Sequence, residues 1–182
     1  MKNQEQITIT QFEIFSRWAT AIITVLLDGL LLWQYFNGGI PKHHFLADES
    51  MPVVSNAWGA LTIPLLTWFS LQRIKAGLFN NLTEINFPKN TVLAFGCAAA
   101  FGISLGLALL FNWSIFLENV PFIVLGLAVF FPVYKAEYFL GFVLGLTYFV
   151  GGVLPVVVGF MFLAIAAGIN FTVRWIRRKL NF

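Results

Sequence analysis

The stretch PKHHFLADES, residues 41–50, sets both histidines of the chain, His43 and His44, close to Asp48 and Glu49. Imidazoles and carboxylates together can bind a divalent metal or exchange protons with a substrate, and Glu118 from a later polar segment could join them. The spacing argues against a formed metal centre, because adjacent histidines point to opposite sides of a strand or about 100° apart on a helix. Neither H-E-x-x-H nor H-x-x-E-H occurs, and no histidine falls in an apolar run, which argues against haem held between membrane helices. A hydrated loop ending in a helix cap is the plainer expectation for this stretch. No cofactor is expected; the alternative is a divalent metal held by His43, His44, Asp48 and Glu49.

Asp28 is a different kind of candidate, a carboxyl inside the apolar run from Trp18 to Phe36. On insertion scales a charge at that depth costs on the order of 2.5 to 3.5 kcal/mol, so it turns toward protein or water rather than lipid. Thr24 and Tyr35 share its helical face. A carboxyl so placed can hold an exchangeable proton or a cation; the alternative is a structural Asp hydrogen-bonded to a neighbour such as Asn56. Ser55, Asn56, Trp58, Gly59 and Thr62 form a second polar, small-residue stretch, and Glu137, Gly141 and Tyr148 a third. Such stripes line a cavity or satisfy one another across helices.

GISLG, residues 102–106, matches a nucleophile elbow in form. That motif needs a sharp strand-to-helix turn, and here it sits in an apolar run, so Ser104 is not expected to act as a nucleophile. Its glycines fit packing better. Gly96, Ala100, Ser104 and Ala108 recur at every fourth position, Gly102 pairs with Gly106, and Gly141 with Gly145. Small residues at that spacing let helix backbones approach closely, which makes the third span central or an oligomer contact. Cys97, the only cysteine, reads as a small packing residue.

All these residues must be positioned by elements whose solvent is lipid. Of 182 residues 59% are hydrophobic and 10% charged, with a mean hydropathy of +0.82, too few charges for a water-exposed surface. The expected fold is one all-α integral membrane domain over residues 1–182, a six-span helical bundle. Its spans are placed near 18–36, 52–74, 91–112, 121–134, 138–153 and 155–175. The first run is too long for a signal-peptide core and no small-residue cleavage site follows it, so it reads as a retained span. Span four is short for a crossing, so either it begins earlier, near Ile115, or spans four and five form a re-entrant hairpin with YKAEY at its tip. Pro52 and Pro121 are expected to open spans two and four, and Pro64 and Pro132 to kink them.

With the amino terminus in the cytoplasm, Lys42 is the only one of eleven Lys and Arg residues that falls outside. The positive-inside rule therefore predicts cytoplasmic termini in a plasma (inner) membrane. In the tail, Arg174, Arg177, Arg178 and Lys179 would meet anionic inner-leaflet lipid, and nucleic acid is not an expected partner. The leading functional expectation is a small transport-type or solute-binding subunit. Asp28, Thr24, Tyr35, Ser55, Asn56 and Trp58 would surround an outward-facing pocket. One alternative is a membrane enzyme acting on a lipid or lipid-linked substrate at the outer surface, with His43, His44, Asp48, Glu49 and Glu118 as its catalytic set. The other is an assembly subunit, partnered as a homo-oligomer or with a second membrane subunit.

Overall fold

A computed structural model describes residues 6–39, 42–44 and 53–179. Asp48, Glu49 and Pro52 lie outside the described residues, as do the side chains of His43, His44, Arg174 and Arg177. The described residues form six α-helices: α1 Ile9–Phe36, α2 Gly59–Phe79, α3 Lys89–Leu110, α4 Ser114–Phe130, α5 Ala136–Val150 and α6 Val153–Lys179. Four short strands, β1 Gln6–Thr8, β2 Lys42–His44, β3 Val53–Ser55 and β4 Glu84–Asn86, make two antiparallel pairs, β1 with β4 and β2 with β3.

Three helical segments, Ile9–Phe36, Lys89–Leu110 and Val153–Val173, are long and apolar enough to cross a membrane. The exterior agrees, because Val25 is 71% exposed and Phe130 82%, side chains that water would not leave uncovered in such numbers. The chain is a multi-pass helical membrane protein.

Local chemistry sets the helix ends. Thr8 and Gln11 close a capping box, in which the Thr8 hydroxyl accepts from the Gln11 amide and the Gln11 side chain accepts from the Thr8 amide. At the other end of α2, Asn80 and Asn81 take positive φ of 33° and 74°, and Asn112 after α3 takes 52°. Asparagine tolerates that left-handed geometry because its short amide bonds locally, so these residues stop helices and reverse the chain. The turn at Asn112 is tight, and α4 begins at Ser114. Pro121 therefore sits inside α4 rather than opening it. Pro132 lies beyond α4, in the turn to α5, and does not kink a helix, whereas Pro64 does lie inside α2. The second helix opens at Gly59, after a strand and a single 3-10 turn at Asn56–Trp58.

Helices α1 and α2 run antiparallel, clipped at the end that carries β1 and β4, here the near end. Phe12 meets Phe79 edge-on at 5.9 Å, and Lys75 Nζ lies 3.0 Å from Glu13 Oε1. The Lys75 ammonium donates to the Glu13 carboxylate, so an ion pair joins the two helices at this end.

The core is built around α5. Phe139, Leu140, Gly141, Phe142, Val143, Gly145, Leu146 and Thr147 are all buried, so the helix is apolar all round and enclosed by α2, α3 and α6. Helices α3 and α5 lie parallel in backbone contact. A Cβ on Gly141 would meet the Phe95 carbonyl, one on Gly145 the Ala99 carbonyl, and one on Gly102 the Phe142 carbonyl. Gly106 makes room for the Phe149 ring. Approach this close replaces side-chain contacts with backbone dispersion and Cα–H to carbonyl contacts, the association lipid allows when apolar burial supplies no driving force.

Candidate functional site

Along α1 a row of oxygen-bearing side chains repeats at four-residue spacing: Ser16, Thr20, Thr24 and Asp28. Each hydroxyl donates to the carbonyl one turn back, Ser16 to Phe12 at 2.8 Å, Thr20 to Ser16 at 2.8 Å and Thr24 to Thr20 at 2.8 Å. That bond satisfies the hydroxyl proton and leaves oxygen lone pairs facing sideways. The row starts one turn beyond Phe12, beside the Glu13 and Lys75 pair, and ends at Asp28. There the pattern breaks: Asp28 is half-buried, and its Oδ1 is buried without a hydrogen-bond partner among the described residues. Gln34 Oε1, farther along α1, and Thr67 Oγ1 of the facing α2 are in the same condition. Thr67 is fully buried. Unpartnered buried oxygens cost free energy, and three of them fall on one helix pair.

No charged side chain of α2 precedes Arg73. Leu27 and Leu31 on either side of Asp28 pack into the main core with Ile63. A carboxyl oxygen in apolar surroundings is a group able to hold a proton or a small cation.

The other sequence candidates distribute as follows. Asn56 is buried at the far end against the turn between α5 and α6, where its amide occupies the space a Cβ of Gly151 would fill. Ser55 accepts from the Ala57 amide and caps the 3-10 turn. Trp58, Trp33 and Tyr35 are 61%, 63% and 64% exposed and face outward. Glu118 is exposed on α4. Glu137 pairs with Lys135 at 3.9 Å, Gly141 lies against α3, and Tyr148 is exposed, so these three do not line one space. Gly96, Ala100 and Ser104 are exposed on α3, whereas Ala108 is fully buried. The β2–β3 pairing sets His43 opposite Val54 and His44 opposite Val53. Among the described residues no group of three or more His, Cys, Asp and Glu could hold a metal.

Gly151 carries a second constraint. Its φ of +84° with ψ of −175° belongs to a region only glycine occupies freely. Gly151→Ala is expected to cost about 3 kcal/mol, from backbone strain and collision with Asn56 together. Thermal unfolding in detergent measures it, and Asn56→Ala in the same background should recover the part due to collision.

A cavity of about 470 Å³ lies elsewhere, between α3, α4, α5 and α6. It runs from Asn90 and Tyr138 at the near end to Phe101 and Phe142 within the bundle, and Cys97 is on its wall. Sequence reasoning did not find it. The signal was present only as Ala94 and Ala98, small residues on α3 opposite rings of α5 and α6. Comparison with family models, with curated proteins and with solved structures gave no match.

Proposed function

We propose that this chain is a small transport-type membrane protein whose proton or cation site is Asp28. The observation that supports it is the buried Asp28 oxygen, without a hydrogen-bond partner among the described residues, at the end of the Ser16, Thr20 and Thr24 row. A packing role would have given that oxygen a donor. In this reading the chain crosses the plasma membrane six times, with the near end cytoplasmic. Lys89 and Lys135 fall at helix starts on that side, and Arg17, Arg73 and Lys75 in the near-end turns of α1 and α2, in keeping with the positive-inside rule. The hydroxyl row leads from the cytoplasmic ion pair to Asp28. Asn56 and the β2–β3 hairpin stand on the opposite side, where an outward-facing pocket would open.

The experiment is ligand linkage on the purified protein. Whatever binds the folded state alone raises its thermal midpoint with concentration. The midpoint is expected to respond to Na+, to K+ or to pH, and Asp28→Asn to abolish that response. An identical response in parent and variant would remove Asp28 from the site.

A further inference from the structure

We propose that the cavity between α3, α4, α5 and α6 holds one acyl chain of an anionic phospholipid drawn from the leaflet at the near end. Three features of the cavity carry this. The first is depth. From Asn90 to Phe101 along α3 is about 16 Å at the helical rise, and one leaflet contributes about 15 Å of a hydrocarbon core roughly 30 Å thick. The cavity is therefore one leaflet deep and ends against Phe101 and Phe142, whose rings are tilted to each other with centroids 6.0 Å apart.

The second feature is the order of polarity along it. Asn90 and Tyr138 stand at the near-end mouth, and the deep walls are aliphatic and aromatic. A lipid has the same order, polar head outward and apolar chain inward. The third is charge. Lys89 precedes Asn90 at the start of α3, and Lys135 caps α5 one turn before Tyr138. Glu137 lies 3.9 Å from Lys135 and offsets one of these two charges, leaving the mouth net positive. An anionic headgroup completes it and a zwitterionic one does so less well. The site shares no residue with the Asp28 row.

Cys97 reports on occupancy, because it lies on the cavity wall, is exposed, and is the only cysteine of the chain. The test compares alkylation of Cys97 by N-ethylmaleimide in detergent with no lipid, with phosphatidylglycerol and with phosphatidylcholine, beside native mass spectrometry of retained lipid. Phosphatidylglycerol is expected to slow alkylation about fivefold more than phosphatidylcholine at equal concentration, the ratio that one net positive charge at the mouth supplies. One phospholipid should be retained per chain. Lys89→Ala/Lys135→Ala is expected to bring the two lipids within about twofold of each other, and Asp28→Asn to change neither readout.

Three outcomes overturn the proposal. One is alkylation at the lipid-free rate in every phospholipid. A second is equal protection by both lipids in the parent. The third is protection by a free fatty acid with none by phosphatidylglycerol, which would make the occupant a different molecule.

Discussion

Gly145→Leu is expected to cost about 3 kcal/mol or more of folding free energy, and Gly96→Ala to gain about 0.5 to 1 kcal/mol. Both are single changes at small residues in neighbouring membrane helices, and their opposite signs follow from what a side chain would meet. At Gly145 a Cβ would collide with the Ala99 carbonyl, which belongs to a backbone fixed by its own helix and cannot turn aside. The parallel α3–α5 pair would have to separate over the contacts that Gly102 and Gly141 also make. At Gly96 nothing lies within 4 Å, so alanine restores helix propensity at no steric cost. Thermal midpoints by size-exclusion retention after heating would show the two shifts. A Gly145→Leu protein as stable as the parent would mean that the two helices are not in backbone contact.

Asp28→Leu is expected to make the protein more stable and to eliminate proton or cation movement. The change removes a buried acceptor that has no donor among the described residues, worth about 1 to 3 kcal/mol, and replaces a weak helix former by a strong one. Under the proposed function that cost is an exchange of stability for activity. Asp28→Asn keeps the volume, and loses the exchangeable charge without the gain in apolar packing. The two variants separate the roles. A structural Asp28 would make both of them less stable, while a functional one makes the leucine protein more stable and both proteins inactive.

The three helices long and apolar enough to cross a membrane were readable in the residues because lipid imposes a length on a crossing helix and removes the charges from it. Gly102, Gly106, Gly141 and Gly145 were readable as small pairs, although the partner of each was not, since a parallel contact between α3 and α5 leaves no local trace. The four-residue series Gly96, Ala100, Ser104 and Ala108 turns by about 40° at each step, so over three steps it moves from the exposed side of α3 to its buried side. Proline was a poor marker of helix starts, because a membrane helix tolerates an internal Pro121 and the tight turn at Asn112 had already begun α4. Asp28 stood out through its cost in lipid. The hydroxyl row that leads to it looked like ordinary composition until Ser16, Thr20 and Thr24 were seen bonded in series along one helix. The α3–α6 cavity depends on how far α4 stands from α3, a distance that no periodicity encodes.

The most direct measurement is ion flux in sealed vesicles containing the purified chain, with an internal pH dye, an imposed pH gradient, and Na+ or K+ on the opposite side. The parent is expected to collapse the gradient, and Asp28→Asn, folded and inserted to the same level, to slow it at least tenfold toward the rate of empty vesicles. Equal rates for parent, Asp28→Asn and empty vesicles would contradict transport through Asp28.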